Sequence, residues 1–177
     1  GSNYEIPKNM YTKVYSLISN LFTSTKHISQ NILGIDVSHH QGNINWPKVA
    51  KAGKNFAYVK ATEGMTYADP KFLTNIRNGS NAGVIMGAYH FARPDNNSAI
   101  DDSNNFLNVA GPYIRIGQLP PALDLEDQTG LRSLSSLFTK PQLTQWVLEW
   151  LTHVESVTGI APIIYTNSFF ASYLDQS

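Results

Sequence analysis

The sequence predicts an α/β protein built as a β/α (TIM-like) barrel, incomplete at its C-terminal end and preceded by an N-terminal helical appendage. Two patterns carry this expectation. Five short, nearly continuous apolar runs alternate with stretches of helical periodicity, the signature of a parallel sheet covered on both faces. Helices follow these strands and no glycine-rich phosphate loop opens any of them, which favours a barrel over a dinucleotide-binding sheet.

The elements follow in order. Ile32–Val37 reads as the first strand, and Trp46–Ala52 as a short helix with Pro47 in its first turn and Gly53 at its end. Phe56–Thr62 is the second strand. Asp69 is then the expected N-cap of a helix that buries Phe72, Leu73 and Ile76 and closes at Gly79. Val84–Phe91 is the third strand, followed by a helix capped by Ser98 with Asp101 and Asp102 in its first turn, where the helix dipole favours negative charge. Pro121–Glu126 is the fourth strand. Thr139 and Gln142 have capping-box spacing, and Leu143, Trp146, Val147, Trp150, Leu151, Val154 and Val157 form the apolar stripe of a helix ended by Gly159. Ala161–Thr166 is the fifth strand.

Residues 1–31 differ in composition from the rest. Gly1-Ser2 reads as a tag remnant, 8–22 as an amphipathic helix and 23–31 as a polar linker, leaving 32–177 as the barrel domain. A closed barrel needs about eight strands. Five are placed here, so the first and fifth strands are not expected to pair with each other, and exposed strand edges invite aggregation. Either the natural polypeptide continues beyond Ser177 or a second chain fills the gap.

Composition narrows the function. Thirteen Lys+Arg balance thirteen Asp+Glu, so there is no electrostatic footprint for nucleic acid or anionic lipid. The absence of cysteine removes thiol nucleophiles, disulfides and iron–sulfur chemistry, and no apolar run is long enough to span a membrane.

The polar residues that interrupt the apolar strands all fall at carboxyl ends, the active-site face of a β/α barrel. Asp36 ends the first strand, and Lys60, Thr62 and Glu63 the second. Tyr89, His90 and then Arg93 end the third, Asp124 and Glu126 the fourth, and Tyr165 and Asn167 the fifth. Asp124 and Glu126 stand two residues apart on a strand, so they share a face about 6.6 Å apart along the chain. With Asp36 they supply what glycosidic cleavage requires: one carboxyl kept protonated for the leaving oxygen and another kept ionised. A divalent-metal site is the rival reading of these acids. His39-His40 is not read as a metal site, because neighbours in extended chain face opposite ways.

Gly34-Ile35-Asp36-Val37-Ser38-His39-His40-Gln41-Gly42 with Ile44-Asn45-Trp46 resembles the opening signature of glycoside hydrolase family 25, the Chalaropsis-type lysozymes. Phe56–Gly64, Gly87–Pro94 and Leu123-Asp124-Leu125-Glu126 resemble its second, third and catalytic strand motifs, in order. The resemblance implies an irregular β/α barrel acting without a metal or other cofactor. The implied enzyme is secreted or cell-wall associated and cleaves the β-1,4 bond between N-acetylmuramic acid and N-acetylglucosamine in peptidoglycan glycan strands. It also implies Glu126 as general acid, Asp124 and Asp36 as supporting carboxylates, and Tyr89, His90, Lys60, Glu63, Arg93 and Tyr165 along the sugar groove. Inversion and a route through the substrate's own 2-acetamido group both remain open. The alternative is a peptidoglycan-binding domain that kept the groove and lost turnover. The family's further C-terminal stretch, with a Trp-rich motif and a last acidic residue, has no counterpart between Phe169 and Ser177.

Overall fold

The computed structural model describes residues 32–127 and 131–174; the helix expected over 8–22 and its linker lie outside them. Strands β1 (Leu33–Val37), β2 (Lys54–Glu63), β3 (Tyr67–Ala68), β4 (Ile85–Phe91), β5 (Ala122–Leu125) and β6 (Ile163–Thr166) form one sheet. The order is β1-β2-β4-β5-β6, with β3 antiparallel to the end of β2 and every other pairing parallel. β1 and β6 are the two edges and do not pair with each other, as expected from the strand count. Gly34 and Asp36 on one edge and Ile163 and Tyr165 on the other nonetheless line a single cavity, so the sheet curls into a half-barrel.

Helices α1 (Trp46–Lys51), α2 (Phe72–Asn81), α3 (Ala99–Ala110), α4 (Leu134–Leu137), α5 (Lys140–Thr158) and α6 (Ser168–Tyr173) accompany the sheet. The core packs several of them on its outer face. Trp46, Phe72, Phe106, Trp150 and Phe170 are almost fully buried there with Ala57, Val59, Met86, Leu123 and Leu125. Each such large side chain contributes about 1.5–3 kcal/mol relative to exposure. Alternation along the strands sorts the residues: odd positions of β2 up to Ala61 and of β5 face the helices, even ones the concave side.

Local chemistry explains most boundaries. Gln142 N–H donates to Thr139 Oγ1 while Thr139 N–H donates to Gln142 Oε1, closing the expected box at the start of α5, and Gly159 ends that helix at φ 70°. Ser98 caps α3 by accepting Asp101 N–H at 3.1 Å. The expected start and end of α2 are corrected. Asp69 precedes a Pro70-Lys71 turn rather than capping the helix, and its carboxylate accepts from Lys71 N–H and from His39. Gly79 lies inside α2, where a Cβ would collide with the Met86 side chain; it serves close helix–strand packing. Gly87 has the same role on the concave side, because a Cβ there would sit 2.6 Å from the Tyr58 ring.

Candidate active site

The concave face of the half-barrel encloses a cavity of about 280 Å³ lined by Asp36, Phe56, Tyr58, Tyr89, Asp124 and Tyr165 among others. Register brings these residues together from distant segments. Asp36 is opposite Tyr58, Lys60 opposite Tyr89, and Asp124 lies between Phe91 on one side and Tyr165 on the other. Tyr58 also donates its hydroxyl to Pro120 O at 3.0 Å, which ties β2 to the entry of β5.

Asp124 is 9% exposed, whereas Glu126, just past the end of β5, is half-buried and Asp36 exposed. Asp124 Oδ1 is buried and has no hydrogen-bond partner among the described residues. Burial is the main reason its carboxyl is pushed up to about 7; the negative charge of Glu126 adds to this, Lys60 opposes it, and Asp36 and Glu63 raise it further. Asp124 therefore keeps its proton up to about pH 7. Tyr89 is held protonated far above its ordinary range, first by burial and then by Asp124. The Tyr165 hydroxyl is raised chiefly by the charge of Glu126, which places the exposed Tyr165 ring beside that acid.

Next to this cavity is a polar pocket of about 470 Å³ lined by His39, His40, Lys60, Glu63, Tyr67 and Arg93. Lys60 Nζ lies 2.6 Å from Glu63 Oε2 and 4.9 Å from the Phe91 ring centre. Arg93 reaches Glu63 Oε1 at 3.4 Å and holds Asp95 with two hydrogen bonds of 2.9 and 3.0 Å. That fork keeps the Asp95 carboxyl below its usual range. His39-His40 form a 3-10 turn, not extended chain, and their rings lie 4.0 Å apart, so the argument from opposite faces does not apply. His39 Nδ1 pairs with Asp69 Oδ2 at 2.7 Å. Among the described residues no three His, Asp or Glu side chains come together as metal ligands.

Of the residues expected along the groove, the structure brings Asp36, Tyr89, Asp124 and Tyr165 to the cavity and Lys60, Glu63 and Arg93 to the adjoining pocket. Glu126 lies just past the end of β5 and outside the cavity lining; its charge acts on Asp124 and Tyr165. His90 is placed elsewhere. It is fully buried on the outer face of β4, stacked on Trp150 with ring centres 5.6 Å apart, because it is one residue from the inward-facing Tyr89. Tyr58, Phe91 and Tyr67 were absent from the expected set although the first two are one strand period from Lys60 and Tyr89.

A curled parallel sheet with two carboxylates at the carboxyl end of one strand makes this an α/β protein of half-barrel form. The model of the glycosyl hydrolases family 25 matches residues 35–177, and the chain belongs to that family. It is 40% identical over 141 residues to Lysozyme M1 of Streptomyces globisporus, covering 79% of this chain and 48% of that protein. It is 30% identical over 140 residues to the N,O-diacetylmuramidase of Chalaropsis sp, covering 77% of this chain and 66% of that one. Among solved structures, the bacterial lysozyme of Streptomyces coelicolor superposes with a TM-score of 0.72 at 38% identity, over 78% of this chain and 64% of that one. The chain thus spans about half the length of its Streptomyces globisporus relative.

Proposed function

We propose that the protein is a peptidoglycan hydrolase that cleaves the β-1,4 bond between N-acetylmuramic acid and N-acetylglucosamine, acting at the bacterial cell wall. The observation that carries this reading is the Asp124/Glu126 pair, one carboxyl buried in a tyrosine-lined cavity and kept protonated to about pH 7, the other half-buried two residues on. Family membership and the muramidase-named relatives support the substrate class.

Glu126 is the general acid in this reading. An acetamido N–H donating to Asp124 favours the ionised form of that carboxyl, so substrate binding moves the Asp124 proton to Glu126. The acetamido oxygen then forms a bond to the anomeric carbon as the bond to the leaving oxygen breaks, and Glu126 gives that oxygen its proton. Water reopens the ring so formed, losing its proton to Glu126. This route suits Asp124, which is too buried to act as an attacking group itself. Asp36 adds negative charge across the cavity, Tyr89 and Tyr165 flank the sugar, and Lys60, Glu63 and Arg93 line the extension of the groove.

A second reading, a domain that binds peptidoglycan without turnover, is favoured by the unpaired edges β1 and β6, where Asp36 and Tyr165 are exposed. Clearing of a suspension of purified cell walls separates the two. Catalysis predicts falling turbidity with wild type and none with Glu126→Gln, while binding without clearing selects the second reading.

A further inference from the structure

Lys60 and Glu63 meet on the concave side of β2, although residues three apart on a regular strand face opposite ways. The reason is a bulge. The pairing of β2 with β4 runs Lys60↔Tyr89 and then Thr62↔His90, which leaves Ala61 as the extra residue. Ala61 and Thr62, consecutive in sequence, are both fully buried: Ala61 in the core under the helices, Thr62 against His90. A bulge of this kind re-aims every side chain beyond it, and here it returns Glu63 to Lys60.

What fixes the bulge lies outside the cavity. His90 Nδ1 is 2.7 Å from Thr62 Oγ1, and His90 Nε2 is 3.1 Å from Asp102 Oδ2. Burial lowers the affinity of His90 for a second proton, although Asp102 opposes this. A neutral ring facing an acceptor-only carboxylate carries its hydrogen on Nε2, so Nδ1 accepts from the Thr62 hydroxyl. Asp102 Oδ2 also accepts Arg93 N–H at 2.9 Å. Asp102 is near the N-terminus of α3, where the dipole favours a carboxylate. Thr62, His90 and Asp102 are each fully buried. Their chain of hydrogen bonds starts at the bulge that places Lys60 and Glu63 and ends at the backbone of Arg93, which itself reaches Glu63.

We propose that Thr62, His90 and Asp102 form a buried positioning relay that holds Lys60, Glu63 and Arg93 as one wall of the mouth, with the Glu63 carboxylate kept on the Lys60 ammonium. The proposal rests on the reading of Asp124 and Glu126 as the acid pair. Around Asp124 stand Glu126 beyond the end of its own strand, Asp36 on β1, Lys60 and Glu63 on β2, Tyr89 on β4 and Tyr165 on β6; Lys60 is the cation among them. Lys60 precedes the bulge and Glu63 lies beyond it, so releasing the bulge takes the Glu63 carboxylate away from Lys60 and Asp124 and leaves that cation in place.

The test is a carbon-13 NMR titration of the Asp124 carboxyl in Thr62→Val, Thr62→Ser and Asp102→Asn, beside the wild type. Thr62→Val keeps the branched shape and deletes the donor; it is expected to lower the Asp124 pKa by roughly 0.5–1 unit as Glu63 is displaced. Thr62→Ser restores the hydroxyl and the wild-type titration. Asp102→Asn is expected to lower the Asp124 pKa as well. Loss of the Asp102 charge alone acts in the same direction, so Thr62→Val, which changes no charge, is the variant that reports movement of Glu63. A folded Thr62→Val or Asp102→Asn protein that titrates as wild type overturns the relay. Because this readout needs no turnover, an inactive wild type or a fully active Glu126→Gln would overturn the acid-pair reading separately.

Discussion

Asp124 of β5 is held in register between Phe91 of β4 and Tyr165 of β6, a carboxyl set between two aromatic positions at the carboxyl end of the sheet. That placement removes Asp124 from water while leaving Glu126, two residues on, half-buried. The two acids therefore differ in environment, which is how a fold separates a proton donor from its partner.

The first prediction is the pH profile. Asp124 loses its proton through about pH 7, and without that proton there is nothing to pass through Glu126 to the leaving oxygen. The rate constant kcat/KM on soluble glycan fragments is expected to fall about tenfold per pH unit above that point. A rate still rising at pH 9 contradicts the assignment.

Stability should show the same group with its own sign. The Asp124 carboxyl is raised from 3.8 to about 7 on folding. The folded protein therefore binds the extra proton between these values, and stability is full below the lower one and lost as pH rises through the upper. Asp124→Asn removes that penalty: its melting temperature at pH 8 is expected to exceed wild type by several degrees, for about 1–3 kcal/mol, and to match it near pH 4. Its activity should be lost at both. An Asn variant less stable at pH 8 than at pH 4, relative to wild type, rules this out.

The route through the acetamido group fixes the stereochemistry. Two displacements at the anomeric carbon restore its configuration, so the first product observed by proton NMR is expected to be the β anomer. Accumulation of the α anomer first would assign the attacking water to direct displacement.

Packing on the concave side gives a prediction independent of catalysis. Gly87→Ala drives a methyl group to 2.6 Å from the Tyr58 ring and 2.7 Å from Leu119 Cβ. Thermal unfolding should show a loss of about 1–3 kcal/mol. A wild-type melting temperature would mean that Tyr58 yields freely, against its hydrogen bond to Pro120 O.

The strands and the acids were legible because both follow simple periodicity. Apolar runs marked β1, β2, β4, β5 and β6, and alternation along β5 put Asp124 on the concave side, whereas Glu126 falls past the strand's end, where period-two alternation no longer governs. His90 was misplaced by reading a motif as a block; alternation from Tyr89 already puts it on the other face. The Ala61 bulge was not legible. It depends on a hydrogen bond between Thr62 and His90, residues 28 apart, and no local pattern announces it. Asp102 was visible as a helix-start acid, but its contacts with His90 and Arg93 exist only once β4 and α3 pack together. Pro70 pointed to a helix start near Asp69, while the carboxylate is occupied by Lys71 N–H and His39.

The most direct measurement is the identity of the sugar ends released from purified peptidoglycan, reduced with borohydride and analysed by mass spectrometry. The account predicts muramitol-ended fragments from the wild type, and from Glu126→Gln a yield lower by at least about 100-fold at an unchanged melting temperature. Glucosaminitol ends, or release undiminished in Glu126→Gln, would contradict it.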